Sequence, residues 1–285
     1  MTTRAALQVG LREHGAGSAR VALVPTMGAL HAGHVALFDE ARTRGDVLVV
    51  SIFVNPMQFG PSEDLAAYPR SLDADLEICD ENGVDLVFAP DLDTVYPGGL
   101  PQVTIEPGAV ATILDGASRP GHFRGVLTVV AKLFGLVQPA IAVFGEKDYQ
   151  QLVLIRRMAA DLCLATEIVG GETVRDPDGL ALSSRNRYLS AADRASALAL
   201  SRALRAGQAA GAGGPDDVLV AAGAVLAVEP GLAVDYLALR ATDLGEAPET
   251  GDARLLVAAR VGTTRLIDNV AVRLQDRRLS SAMQP

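Results

Sequence analysis

Two histidines, a lysine and a Ser-Ser-Arg tripeptide are the side chains of this 285-residue chain best suited to handling phosphate. His31 and His34 flank Gly33 in the stretch Pro25-Thr26-Met27-Gly28-Ala29-Leu30-His31-Ala32-Gly33-His34, and they are two of only four histidines in the chain. Lys147, in Gly145-Glu146-Lys147-Asp148, is one of only two lysines among 25 basic residues. Where arginine carries nearly all the positive charge, a lysine kept in a turn points to use of its compact ammonium. Lys132, in a helical pattern without a motif, shows that chance can also leave a lysine in place. Ser183 and Ser184 can donate to phosphate oxygens, and Arg185 can grip them bidentately. Asn55 and Gln58 are amides that offer donors and acceptors to a hydroxylated, carboxylated small molecule. Arg119 and His122 lie in a polar loop that suits an anion. Each has an ordinary structural reading too: histidines satisfied inside a fold, Asn-Pro starting a turn, serine pairs capping helices.

The elements that must position these groups follow from the spacing of apolar residues. Residues 21–24 are short, β-branched and bounded by Pro25, as a buried strand entering a glycine-containing turn would be. Val35, Leu37, Phe38 and Ala41 then recur at helical spacing, predicting a helix to about Arg44 with His34 in or beside its first turn. A helix start leaves backbone N–H groups unpaired and carries partial positive charge, and Gly28 and Gly33 would let that backbone approach a nucleotide. The near-continuous apolar run 46–54 predicts a strand covered on both faces, completing a βαβ unit with its loops at the carboxyl edge. The arrangement recurs at 140–144: strand, Gly145, a charged turn with Lys147, then a helix through Arg157 that puts Gln151 one turn past Lys147 on the same side. Other predicted elements are helices over 1–17, with His14 at the surface, 71–82 and 126–137, strands over 84–89 and 164–169, and a short edge strand over 102–106. From Ser190 the composition shifts to alanine-rich helices, 190–210 and 215–228, around a glycine break at 211–214. Strands over 234–239, 253–258 and 264–267 follow, with no dense polar motif after Asn186. The expected class is α/β: a Rossmann-like parallel-sheet nucleotide-binding domain over 1–173, and a smaller α+β C-terminal lid domain over 174–285.

Composition narrows the function classes. Hydrophobic residues make up 49% of the chain, with no window of membrane-span length and no signal-peptide pattern at the start, so the expected location is cytoplasmic. Cys79 and Cys163 have no zinc-ligand spacing and are expected to be reduced core residues. A net charge of −9 argues against a broad nucleic-acid surface, so any anionic ligand must be held by a local cluster.

Taken together, PTMGALHAGH, FVNPMQFG, YPR, RPGHFRGV, FGEKDYQQL and DGLALSSRNRYLS closely resemble, in order and spacing, the pantoate–β-alanine ligases of the cytidylyltransferase-like superfamily. The resemblance is dense from Val21 to Leu189. It implies ATP-dependent condensation of (R)-pantoate with β-alanine through a pantoyl adenylate, releasing AMP and pyrophosphate. It also implies that Met27, Gly28, Ala29, Leu30, His31, Ala32, Gly33 and His34 form a first ATP-binding segment, with His31 and His34 donating to phosphates and His34 as proton donor. Gly145, Glu146, Lys147 and Asp148 would form the second, Lys147 bridging phosphates and counting with the histidines as catalytic. Val174 with Leu182, Ser183, Ser184 and Arg185 would form the third. Gln58 and Gln151 would hold pantoate, Gln58 also lying near β-alanine, and Arg119 and His122 are weaker candidates for orienting substrate. Magnesium is implied as the counter-ion of ATP, without an assigned protein ligand, and Asp73 and Asp75 receive no metal role. A homodimer with small-molecule substrates is implied, with neither nucleic acid nor membrane as partner. Leu182 stands where some family members have methionine, a volume-conserving difference.

Other readings share parts of this signature. A nucleotidyl transferase acting on a phosphorylated acceptor would need a basic pocket where this chain has the neutral Gln58 and Gln151. An aminoacyl-tRNA synthetase shares the His-x-Gly-His logic, against which stand the acidic charge and the lack of an anticodon-binding extension. A non-catalytic nucleotide sensor would have no need for so many transition-state donors as His31, His34, Lys147 and Arg185.

Overall fold

In the computed structural model, which describes residues 1–61, 65–66 and 68–275, the elements up to the mid-chain run α1 (Arg4–Glu13), β1 (Val21–Thr26), α2 (Ala32–Arg42), β2 (Val47–Ile52), α3 (Leu72–Glu81), β3 (Leu86–Phe88), α4 (Leu92–Val95), α5 (Asp115–Ser118), α6 (His122–Val137), β4 (Ile141–Gly145), α7 (Tyr149–Asp161) and β5 (Glu167–Gly171). Successive side chains of a strand point to opposite faces, so a strand apolar at every position is satisfied only between two layers. β1 sends Val21 and Leu23 into one apolar cluster and Ala22 and Val24 into another; β2 divides Val47 and Val49 from Leu48 and Val50 in the same way. Leu7 and Leu11 of α1, the apolar side of α6, and Leu152 and Ile155 of α7 complete the first cluster. Leu37, Phe38 and Ala41 of α2 with Cys79 of α3 complete the second.

The strands are all parallel in the order β3-β2-β1-β4-β5. This is the Rossmann-like arrangement, and the order reverses between β1 and β4. A ligand crevice in such a sheet lies beyond the carboxyl ends of the strands at the switch point. The Met27–His34 segment leaves β1 there, and Gly145 ends β4.

By its contacts the chain forms two compact units, Met1–Glu146 with Gln151–Thr173, and Lys147–Gln150 with Val174 onward. The second contains α8 (Ala191–Ala209), α9 (Pro215–Ala227) and an antiparallel sheet β6-β7-β8 (Leu232–Ala241, Gly251–Val261, Thr264–Leu274). Its core joins Leu200 and Leu204 of α8 and Val218 and Ala222 of α9 to Leu255 and Val257 of β7. No helix among the described residues is long and apolar enough to cross a membrane.

Three sequence expectations are corrected. No strand forms over 102–106: the Ile105 N–H donates instead to Thr128 Oγ1 at 3.0 Å, and Val103 is 85% exposed, so the segment has no ladder to join. The helix expected over 126–137 begins at His122. Gly125, which reads as a loop residue, lies instead on the first turn of α6, where a Cβ would come within 2.2 Å of the Met57 carbonyl oxygen. Finally, Cys163 is exposed, in the turn after α7 with φ 53°, while Cys79 is buried as expected. Burial, and secondarily the charge of Asp75, push the Cys79 thiol up to about 11. A thiol reagent at pH 8 is therefore expected to titrate one cysteine rapidly in the folded protein and the second only in denaturant. Rapid reaction of both would contradict the packing of α3.

Candidate functional site

The turn after β1 is shaped by a residue 46 positions away. Gly28 and Ala29 both adopt left-handed backbone, φ 80° and 52°, which turns the N–H groups of Ala29 and Leu30 toward α3. There the carboxylate of Asp75 accepts both, at 2.9 and 2.8 Å. Asp75 is only 2% exposed and also accepts from Ser71 Oγ at 3.4 Å. A Cβ on Gly28 would lie 2.7 Å from Asp75 Oδ2, so this position requires glycine for space as well as for φ. Leu30 points the other way, into the apolar cluster under α2.

His31 is the N-cap of α2 and His34 its third residue, and the two complete a reciprocal capping box. His31 Nδ1 accepts the Gly33 N–H at 3.1 Å; His34 Nδ1 accepts the His31 N–H at 3.3 Å. A ring nitrogen that accepts an N–H carries no hydrogen, so each neutral imidazole holds its proton on Nε2. The ring centroids are 4.2 Å apart. The helix start thus differs from the expected row of unpaired backbone donors. The N–H groups of residues 28, 29, 30, 31 and 33 are already partnered by Thr26, Asp75, His34 and His31 side chains. Two half-buried imidazoles, each with its proton on Nε2, flank this helix start.

The loop after β2 is held almost as tightly. Asn55 is buried: its Oδ1 accepts from Tyr96 Oη at 2.8 Å and from the Met57 N–H at 3.3 Å, and its Nδ2 donates to Gly125 O and Gln58 Oε1, both at 3.1 Å. Gln58 Nε2 in turn lies 3.0 Å from Met27 Sδ, which brings the first expected nucleotide segment against the expected pantoate residue. Arg119 and His122 both reach the Gln58 carbonyl, at 3.3 and 2.8 Å. Since Arg119 Nη1, 3.0 Å from His122 Nε2, can only donate, His122 carries its proton on Nδ1 and gives it to that carbonyl. The pair therefore orients Gln58 through its backbone. Residues 62–64 and 67, between Gln58 and the YPR motif at 68–70, lie outside the described residues. Gln151, on α7, is half-buried.

In the second unit, Lys147 sits in a 3-10 turn, Glu146–Asp148, and not on α7 itself, so the helical spacing to Gln151 does not hold. Its ammonium is 3.6 Å from Asp148 Oδ2 and its side chain 19% exposed. What ties 147–150 to this unit is a polar network. Asn269 Nδ2 donates to the Lys147 carbonyl at 2.8 Å, Arg254 Nε donates to Asn269 Oδ1 at 2.6 Å, and the Arg254 guanidinium lies 4.1 Å from the centroid of the Tyr149 ring. Tyr149 Oη donates to Thr242 O at 2.8 Å. Asp268, next to Asn269, receives Arg175 bidentately at 2.6 and 2.9 Å. Val174 and Leu182 are brought together by a hairpin, with Leu182 N donating to Val174 O at 2.9 Å and a bridge between Arg175 and Ala181. Ser183 caps the following 3-10 turn by accepting from the Arg185 N–H at 3.3 Å, and Ser184 and Arg185 are half-buried in it.

Several structuring residues give little sign of their role in the sequence. Asp75 receives no role from the sequence, metal or otherwise, and Tyr96 belongs to no motif. Asp268-Asn269, two polar residues interrupting an apolar strand, are the one signal after Asn186 that points to such a role. Among the described residues no group of three or more His, Cys, Asp or Glu is placed to hold a metal ion.

Comparison with known proteins adds independent findings. The sequence model of the Pantoate-beta-alanine ligase family matches residues 1–271. The chain is 62% identical over 258 residues to the pantothenate synthetase of Saccharopolyspora erythraea, covering 90% of this chain and 85% of that one. It is similar in structure to the pantothenate synthetase of Thermus thermophilus, with a TM-score of 0.89 and 46% identity over 95% of this chain and 98% of that one. A pantoate-beta-alanine ligase from Francisella tularensis, complexed with beta-gamma ATP and beta-alanine, matches at a TM-score of 0.79 and 35% identity over 95% of this chain and 96% of that one.

Proposed function

This chain belongs to the pantoate–β-alanine ligase family and is an enzyme that joins pantoate to β-alanine, and from that premise we propose that the bond is made through an acyl adenylate. The pantoate carboxylate attacks the α-phosphorus of ATP, forming pantoyl adenylate and releasing pyrophosphate. The β-alanine amine then attacks the acyl carbon, expelling AMP and leaving pantothenate. A free carboxylate is a poor acyl donor because its leaving group is oxide; adenylation substitutes AMP. The protein must stabilise charge on the phosphates and keep water from the mixed anhydride.

The observation that carries this reading is the histidine-capped start of α2, where both Nδ1 atoms accept backbone N–H groups and each ring is a donor through Nε2. We assign His31 and His34 to phosphate oxygens, each donating a hydrogen bond through Nε2–H, with His34 directed at the departing pyrophosphate. Lys147, Ser183, Ser184 and Arg185 of the second unit are assigned to the same nucleotide, with backbone contacts from Gly28, Gly145 and Val174. Gln58 and Gln151 are assigned to pantoate, and Gln58 also to β-alanine. The relative complexed with beta-gamma ATP and beta-alanine supports both as ligands of this fold. Magnesium belongs to this reading as part of the MgATP substrate, held mostly through phosphates and water. A homodimer, by family resemblance, and a cytoplasmic location, by composition, complete the reading.

ATP–pyrophosphate isotope exchange tests the reaction. Exchange that requires pantoate and proceeds without β-alanine is the expected result; its absence in folded, ATP-binding protein would remove the adenylate. The pocket is tested separately by Gln58→Ala, which should lower kcat/KM for pantoate about 10- to 100-fold with little change in KM for ATP. An effect confined to ATP would show the assignment of Gln58 to be wrong.

A further inference from the structure

We propose that Tyr96 is a positioning residue for pantoate: its hydroxyl holds the Asn55 amide, which holds the Gln58 amide with its NH2 end offered to the substrate. The inference rests on the assignment of Gln58 to pantoate made above.

A glutamine amide can present either a donor or an acceptor, and its neighbours decide which. At Gln58 the choice is made by Asn55, whose Nδ2 donates to Oε1 and so leaves Nε2 as the other end. Asn55 is itself oriented by groups that cannot reverse. The Gly125 carbonyl only accepts, and it takes Nδ2; the Met57 N–H only donates, and it reaches Oδ1 at 3.3 Å. That last bond is long and local. Tyr96 supplies the shorter one to the same oxygen, 2.8 Å from a residue 41 positions away. Without it, a buried carbonyl oxygen would keep only the 3.3 Å partner, and Asn55 would lose its hold on the plane in which it meets Gln58.

Tyr96 is fixed for this task. It is 1% exposed, its ring packs 6.0 Å from that of Phe53, and the ammonium of Lys132 lies 5.3 Å from its centroid, which gives the lysine without a motif a place. Burial raises its phenol far above the ordinary range, so the hydroxyl stays protonated as a donor. At the far end of the relay, Gln58 Nε2 has two hydrogens and, among the described residues, one partner, the Met27 thioether. Sulfur is a weak acceptor. A carboxylate or hydroxyl oxygen of pantoate is a stronger one and can take its place.

The test is Tyr96→Phe, which removes the hydroxyl and keeps the ring, measured alone and in a Gln58→Ala background. The expected result is a rise in KM for pantoate of about tenfold, with kcat and the KM for ATP within about twofold, and no further rise in the Gln58→Ala background. An unchanged KM for pantoate overturns the proposal. So does a rise of the same size when Gln58 is absent, or a uniform loss of all parameters together with the fold. The side-chain amide 1H–15N resonances of Gln58, identified by their disappearance in Gln58→Ala, give a second readout free of turnover. They should shift and exchange faster in Tyr96→Phe, and unmoved resonances overturn the relay. If Gln58→Ala leaves pantoate use unchanged, the pocket assignment falls while the resonances still decide the relay.

Discussion

Replacing His34 by alanine is expected to lower pantoate-dependent ATP–pyrophosphate exchange by about two to three orders of magnitude, the usual loss when a preorganised donor to developing charge is removed. A single variant at this position confuses two effects. His34 carries the Nε2–H that the reading assigns to the phosphates, and its Nδ1 accepts the His31 N–H, so alanine removes a donor and half a helix cap together. Loss of a cap costs about 1 kcal/mol, too little to unfold a unit with so extensive a core. His34→Gln separates the two. Glutamine at the third helical position is the residue that ordinarily closes a capping box, so it can restore the acceptor for His31 while lacking an imidazole. Exchange should remain depressed in the glutamine variant while thermal stability returns to that of the parent. Recovery of activity along with stability would reduce His34 to a cap and take it out of the chemistry.

Asp75→Asn should be nearly as damaging, from a position with no expected contact to substrate. The carboxylate accepts two buried N–H groups from adjacent residues, and an amide of the same shape can accept from one while turning its own NH2 against the other. An unsatisfied buried donor costs about 1–3 kcal/mol, and the donor–donor contact adds to that. A fall in melting temperature of about 5–10 °C is expected, at ~2–4 °C per kcal/mol for a unit of this size. The Gly28-Ala29 conformation would relax with it, moving the start of α2, and a misplacement of ~1 Å in a positioned group can cost about 10²-fold in rate. Exchange activity and thermal denaturation measured on the same preparation check both effects. Parent-like activity at parent-like stability would show that the turn holds its shape without Asp75.

Much of this architecture is legible in the sequence because parallel strands and the helices between them are specified locally. Apolar residues at every position of 21–24 and 47–50, bounded by turn residues, read as strands sandwiched between layers, and Val35, Leu37, Phe38 and Ala41 read as one side of a helix. The histidines likewise stand out by type and spacing, and so do Lys147 and the Ser-Ser-Arg turn. Where periodicity misleads, glycine is often involved. Gly121 and Gly125 suggest a loop, whereas Gly125 serves the close approach of α6 to the Met57 carbonyl.

The element order, the Rossmann-like class and the residue types available to bind phosphate are legible along the chain. Those follow from propensity and pattern over short stretches of chain. The tertiary structure alone decided which of those groups are spent and which are offered. Asp75 takes the N–H groups of Ala29 and Leu30 across 46 and 45 positions, Tyr96 orients Asn55 across 41, and Asn269 holds the Lys147 carbonyl across 122. Whether a polar group is a donor in waiting or a satisfied part of the scaffold depends on partners within about 3 Å in space, and distance along the chain carries no information about them.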